Sequence, residues 1–376
     1  MIFCHSIVSD WNHGNAHFLR GVATELLARG HELALYEPAD AWSVRNLLAE
    51  AGEDALRRFH AAYPRLDSTR YDLATLDVDR ALAGADLVLV HEWNDPELVR
   101  RVGDHRRHHT GYVLLFHDTH HRAVTDPAAM RAFELDGYDG VLAFGEVIRE
   151  IWVARGWARL AFTWHEAADA RVFRPHPEVL RRGDLVWIGN WGDDERTAEL
   201  HEYLLDPVRA LGLAARVHGV RYPEAARQAL AEAGIEYLGW LPNFEAPLAF
   251  AAHRVTVHVP RRPYVEALPG IPTIRPFEAM ACGIPLVSAP WDDVEGLFTA
   301  GDDYLVARGG EEMKAHLRAL LDDPALGREL ARHARATVLA RHTCAHRVEE
   351  LLRIHRQIAG PLPATPRPAA ASSASA

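Results

Sequence analysis

Short apolar runs alternate with amphipathic stretches along almost the whole chain. Ile2 to Val8 reads as a buried strand, and a polar loop, Ser9 to Asn15, follows it. Phe18, Leu19, Val22, Ala23, Leu26 and Leu27 then recur at the spacing of one helix face. Gly30 stops that helix, and Glu32 to Glu37 gives the next strand. A mixed helical stretch from Ala41 to Asp79 is broken by Pro64. Further strands are predicted at Asp86–Val90, Tyr112–Phe116, Gly140–Gly145 and Leu160–Trp164, with a helix over Val147–Arg155. The rhythm restarts at Asp184–Ile188. It continues through a helix at Glu199–Leu211 and strands at Ala215–Val220, Ile235–Leu241, Val255–Val259, Ile284–Ala289 and Asp303–Ala307. Helices are expected at Glu224–Ala233, Ala246–His253, Glu311–Leu321 and from Pro324 to about Ile358. Strands alternating with helices predict an α/β chain with parallel sheets, and the restart predicts two Rossmann-like halves.

Composition narrows what such a chain can bind. Its 376 residues suffice for two ordinary domains, and 48% apolar residues let each half bury a core. A net charge of -11 argues against nucleic acid or an anionic membrane surface as the main partner. Lys314 is the only lysine, so phosphate binding falls to arginine, whose planar fork grips oxyanions in pairs. Cys4, Cys282 and Cys344 have neither metal nor disulfide spacing, which predicts a reducing, cytoplasmic setting. The first apolar run is too short for a signal peptide, and no run approaches a membrane span, while docking on a membrane face stays open.

The chemistry concentrates in Pro269 to Pro290, PGIPTIRPFEAMACGIPLVSAP. Its prolines predict an irregular loop to Pro276, then a helix over Phe277–Cys282 stopped by Gly283. Pro276 suits a first helical position, where its missing N–H costs nothing. Free N–H groups beside Arg275 would then make an anion site. Glu278 in the first turn either caps the helix or accepts hydrogen bonds from sugar hydroxyls. Elsewhere, polar clusters end the strands at the edge where open parallel sheets bind ligands. They are His13, Gly14 and His17 after the first strand, His117-Asp118-Thr119-His120-His121 after the fourth, and Gly189-Asn190 with Arg196 in the second half. Arg196 suits bidentate phosphate contact, with a surface ion pair to Glu195 or Glu199 as the plainer reading. His117 and His120 follow a strand directly, so their spacing does not gather them on one face for a metal. A helix cap by Asp118 or Thr119 is the plainer reading of that cluster.

PFEAMACGIPLVS resembles the nucleotide-sugar signature of group 1 glycosyltransferases with the GT-B fold, α/β proteins of two facing Rossmann-like domains around a cleft. The Arg before Pro-Phe-Glu-Ala is similar to their spore-maturation (CgeB-like) branch, and Asp169 before Val172-Phe173-Arg174-Pro175 resembles the link between the two domains, which puts His165 and Glu166 at the cleft floor as donor-contact candidates. The resemblance implies an acceptor-side domain at 1–167 and a nucleotide-sugar domain at 168–340. It also implies a helix at 341–360 that crosses back to the first domain. The Pro/Ala/Ser segment 361–376 reads as a disordered tail. The implied activity is hexosyl transfer from a nucleotide sugar, without a metal cofactor, to a small-molecule, glycan or lipid acceptor. Donor contacts fall on Gly14, Asn190, Arg196, Gly270, Arg275, Pro276, Phe277 and Glu278, with Glu278 on the ribose. His117 or Asp118 would do the acid/base or sugar-steadying work, with His13, His17 and His120 on the acceptor side. Retaining members carry a second glutamate eight positions before Glu278; here that position is Gly270, so retention and inversion both stay open. The rivals are an epimerase on the same fold and a catalytically silent nucleotide-sugar binder.

Overall fold

The computed structural model describes residues 1–360, so the segment 361–376 lies outside the described residues. Two parallel sheets form. The first contains β1 (Ile2–Phe3), β2 (Leu35–Pro38), β3 (Thr69–Tyr71), β4 (Leu87–His91), β5 (Val113–Asp118), β6 (Gly140–Ala143) and β7 (Ala161–Thr163), in the order 3-2-1-4-5-6-7. The second contains β8 (Leu185–Ile188), β9 (Ala215–His218), β10 (Ile235–Tyr237), β11 (Val255–His258), β12 (Leu286–Ser288) and β13 (Leu305–Val306), in the order 10-9-8-11-12-13. Every strand pair is parallel. The strand order reverses between β1 and β4, and again between β8 and β11. Loops leaving those strands are where a ligand can enter an open α/β sheet.

Both faces of each sheet are covered, which is why the strands read as continuous apolar runs. Helix Ala16–Ala28 and helix Cys344–Ala359 cover one face of the first sheet, with Phe18, Leu19, Val348, Leu351 and Ile354 in a shared core. The last helix therefore packs on the first sheet although it follows the second in sequence. Gly21 permits that crossing, because a Cβ there would lie 2.4 Å from Cys344 Sγ. The chain is tied again where Trp164 Nε1 donates to the Arg347 carbonyl at 2.8 Å. The opposite face of the first sheet takes in Tyr264, Leu268 and Ile271, which belong to the second half.

The structure departs from the sequence pattern in three informative places. The edge strand β3 lies inside the stretch read as helical, because two of its three residues face solvent and leave no apolar signature. Arg262–Ala267, between the predicted strand Val255–Val259 and the loop that begins at Pro269, is a helix without an apolar periodicity to announce it; Pro263 supports its first turn. The long C-terminal helix breaks at His342-Thr343, where Thr343 and His346 form a reciprocal cap for the second segment.

Candidate functional site

The loop after β1 is held rigid from beneath. Arg20 is buried, and its guanidinium donates to the carbonyls of Ile7 (2.8 Å) and Val8 (3.1 Å) and to Asp10 Oδ2 (2.8 Å). Asp10 then reaches the other half, accepting from Trp240 Nε1 and from the Asn243 N–H, both at 2.9 Å. The loop is thereby pinned against the second sheet, and a cleft of about 400 Å³ opens between the two switch points. A narrower lobe of about 90 Å³ continues it past Gly219, Trp240 and Leu241. Asn12, His13, Gly14, Asn190 and Arg275 line both spaces.

Four arginines line the main lobe, and one of them, Arg221, pairs with Asp193 at 3.2 Å. Arg196 donates to the carbonyls of Asn190, Trp191 (3.3 Å) and Val259 (2.9 Å), and its guanidinium lies 5.1 Å over the Trp187 ring. Among the described residues it has no carboxylate partner. Desolvation, with Arg261 adding repulsion, pulls its pKa down to about 9. Arg261 pairs with Glu195 Oε2 at 3.0 Å, and Arg275 pairs with Glu278. The surroundings therefore hold an excess of positive charge in a partly dry site, which an anion would relieve.

The rest of the wall, drawn from both halves, is polar but largely unpaired. His13 Nε2, Asn15 Oδ1, His120 Nδ1 and His258 Nε2 are buried without a partner. Burial holds these imidazoles neutral, His120 at about 2 and His258 at about 3, with His13 also well below its usual range. Buried polar atoms without partners are costly and rare in proteins, so a ligand rich in hydrogen-bonding groups fits this wall. Among the described residues, Glu166 is the one carboxylate lining the main lobe. Asn15 Nδ2 donates to its Oε1 at 2.9 Å. Burial raises Glu166 to about 7, against the lowering effect of the Asn15 bond and with a further push from Glu278.

Backbone strain gathers at the same place. The non-glycine residues with positive φ among those described are Asn12, Asp193, Arg221 and Thr273. Asn12, Arg221 and Thr273 line the cleft, and Asp193 pairs with Arg221. Thr273, at φ 62, is β-branched and immediately precedes helix Ile274–Cys282. Such conformations cost of order 1–3 kcal/mol each and persist where a site requires them.

Of the residues singled out by sequence, His13, Gly14, Thr119, His120, Glu166, Gly189, Asn190, Arg196 and Arg275 come together around this cleft. The others do not. His117 lies inside β5, packed by Trp164 and Phe18 with ring centroids at 4.9 and 5.9 Å, and Asp118 accepts from the buried Trp152 Nε1 at 2.6 Å. β5 runs two residues further than the pattern suggested, so both side chains belong to the core, and Thr119 and His120 are the first to reach the opening. The helix predicted from Phe277 starts at Ile274, which places Pro276 third in the helix and buries Phe277 in the second half's core.

Glu278 is fully buried and does not line the cleft. Its Oε1 lies 2.6 Å from His17 Nδ1 and accepts from Asn243 Nδ2 at 2.9 Å, while Arg275 takes Oε2. His17 is itself fixed, since the Asp169 N–H donates to its Nε2 at 3.0 Å. The pair therefore ties the two halves together and leaves neither side chain open to a ligand in this arrangement. Gly270 is also remote from the opening, at φ 89. A Cβ there would meet Glu295 Oε1 at 2.6 Å. Glu295 uses that space to accept from the Glu146 N–H at 2.8 Å and to meet His165 Nε2 at 2.9 Å. The space beside Gly270 is thus filled by Glu295, which has structural work there.

His5, Thr273 and His258 also line the cleft, and the sequence signal for the two histidines was present but weak. Both are polar residues inside runs read as apolar strands, and the strands end short of or at them. No group of three or more His, Cys, Asp or Glu side chains placed to hold a metal occurs among the described residues.

The glycosyl transferase-like family matches residues 196–353. No curated protein is a significant sequence match. Solved structures similar to this chain include Anabaena HepE in complex with UDP and glucose (TM-score 0.63, 15% identity, 94% of this chain and 98% of that one). Sucrose-phosphate synthase from Thermosynechococcus elongatus is similar at TM-score 0.61 and 14% identity, over 95% of this chain and 98% of that one. T4 phage BGT with UDP and Mn2+ is similar at TM-score 0.59 and 11% identity, over 96% of this chain and 99% of that one. The architecture is the GT-B fold, and the second half carries a glycosyl transferase-like domain.

Proposed function

We propose that this GT-B chain is a glycosyltransferase that moves a sugar from a nucleotide-sugar donor to an acceptor nucleophile. The observation that carries the reading is the arginine excess at the cleft between the two switch points, above all the Arg196 guanidinium, bonded only to main-chain carbonyls. The UDP and UDP-sugar complexes of similarly folded proteins support a donor of that class.

The donor diphosphate sits against Arg196, Arg261 and Arg275. The nucleoside occupies the narrower lobe beside Trp240 and Leu241. As the bond to the sugar breaks, negative charge grows on the leaving diphosphate, and the prearranged guanidinium groups stabilise it. Glu166 faces the same lobe from the first half and takes the acceptor proton. A carboxylate near pH 7 is poised for that transfer. No divalent ion enters this scheme, so turnover is expected to persist in EDTA. Among the described residues the main lobe offers no second carboxylate to pair with Glu166, which favours transfer over an epimerase's acid/base exchange. Among the described residues no helix is long and apolar enough to cross a membrane. Three free, buried thiols fit work in a reducing compartment.

Calorimetry across a panel of nucleotide sugars, followed by measurement of nucleotide release with and without acceptors, tests the proposal. Binding with acceptor-stimulated release is expected. Binding without release under every acceptor offered would leave a silent binder.

A further inference from the structure

A second cavity, of about 520 Å³, opens beside the donor cleft at the carboxyl ends of the first sheet's strands. His5, Trp42 and Trp93 line both spaces, so the two are neighbours sharing a wall. The rest of the lining comes from the loops after β2, β3 and β4, including Asp40, Asp72 and Asp95.

The two indoles are fixed rather than loose. Trp42 packs on His5 with ring centroids at 4.9 Å and meets the edge of Trp11 at 6.0 Å. Trp93 is covered by the Arg122 guanidinium at 4.2 Å and braced by His120 at 5.2 Å. Rigid aromatic surfaces bury much area at little entropic cost and suit the C–H faces of sugar rings.

The carboxylates have spare acceptor capacity. Asp40 makes no hydrogen bond or ion pair among the described residues. Asp72 and Asp95 each commit Oδ1 to one N–H, that of Ala74 and that of Glu97, both at 2.8 Å. His5 adds a ring nitrogen, Nε2, that is buried without a partner in a residue 4% exposed. Among the described residues Arg45 is the one cation on the lining, against the three carboxylates. A phosphorylated acceptor would meet net negative charge there, and the aliphatic lining is too slight for an acyl chain.

We infer that this cavity is the acceptor subsite and that its occupant is a neutral carbohydrate, stacked between Trp42 and Trp93 and hydrogen-bonded through its hydroxyls to Asp40, Asp72 and His5. The inference rests on the donor reading given above and commits it to a substrate class. A sugar held here extends one hydroxyl across the shared wall toward Glu166 and the donor.

The test uses the full chain loaded with a nucleotide sugar that it binds. Saturation-transfer NMR is run against maltose, cellobiose, lactose and diacetylchitobiose, with glucose 6-phosphate and phosphatidylglycerol vesicles as comparators. At least one neutral sugar is expected to bind and to accelerate nucleotide release, while the anionic probes do neither. Asp40→Ala, on the surface and away from the donor lobe, should raise the acceptor KM by about tenfold and leave the donor KM near its original value, and Trp42→Ala should act in the same direction. A chain that binds the donor but ignores every neutral sugar, or that prefers the phosphorylated or lipid probe, overturns the inference while leaving donor binding intact. A chain that binds no nucleotide sugar at all overturns the donor reading instead.

Discussion

Replacing Arg196 by methionine removes a charge while keeping most of the side chain's bulk beside Trp187. The guanidinium has no carboxylate to answer it, only three main-chain carbonyls. Its charge is therefore available to a diphosphate, and most of that interaction is realised as the leaving group gains charge. Losing one prearranged donor of this kind costs about 3 kcal/mol, or a factor of about a hundred to a thousand in kcat. Because the ground-state diphosphate is already charged, donor affinity should fall as well, but by less. Arg196→Lys keeps the charge without the planar fork and should recover only part of the rate. The assay is nucleotide release at saturating donor, with the folded fraction fixed by thermal unfolding of each variant. Two of the freed carbonyls, those of Asn190 and Val259, belong to residues that line the cleft and can take up water, so the loss of stability should stay small. A methionine variant that turns over at the original rate, or one whose loss matches its unfolded fraction, would refute the phosphate role.

Other consequences are as direct. With Glu166 as proton acceptor, kcat/KM should climb about tenfold per pH unit up to about pH 7 and then level off; Glu166→Gln should flatten that profile and lower kcat about a hundredfold or more. The same carboxylate is raised in the fold, so its contribution to stability is complete below the ordinary glutamate range. That contribution is lost as pH rises through about 7, a difference of about 3 kcal/mol that the glutamine variant removes from a urea-unfolding series. Glu278→Ala strands the Asn243 amide, the His17 ring and Arg275 in a buried joint and should destabilise by about 3 kcal/mol or more; a neutral result would end its role as a tie between the halves. Burial opposes the ionisation of Glu278, but Arg275, His17 and Asn243 prevail and hold it below the usual range, so its contribution should fade only in acid. Gly270→Ala should cost about 1–3 kcal/mol from its positive φ and the Glu295 contact together. Adding Glu295→Ala should relieve only the contact, which differential scanning calorimetry of the three variants can separate.

The strands were legible because each sheet is covered on both faces, which turns buried strands into apolar runs bounded by glycine and polar clusters. The switch-point loops were legible for the same reason, since Asn12 to Asn15 and Gly189 to Arg196 interrupt those runs. What sequence pattern cannot carry is the closure of one half on the other. Glu278 reads as a ligand contact from its place in the motif, yet His17 and Asn243, far away in sequence, take its oxygens. Gly270 reads as a missing acid, yet Glu295 stands in its space. His117 reads as the sharpest candidate because it ends an apolar run, but β5 continues past it and turns its ring into the core. Glu166 gave only a faint signal, being one acid in a polar link; its environment is made by Asn15 and by burial, neither of which is local.

A crystal grown with the tightest-binding nucleotide sugar measures directly whether the two switch points face a common ligand. The diphosphate should lie within hydrogen-bonding distance of Arg196 and Arg261, with the nucleoside beside Trp240 and the sugar turned toward Glu166. Density for the nucleotide anywhere else, or a cleft left empty at saturating donor, would contradict it.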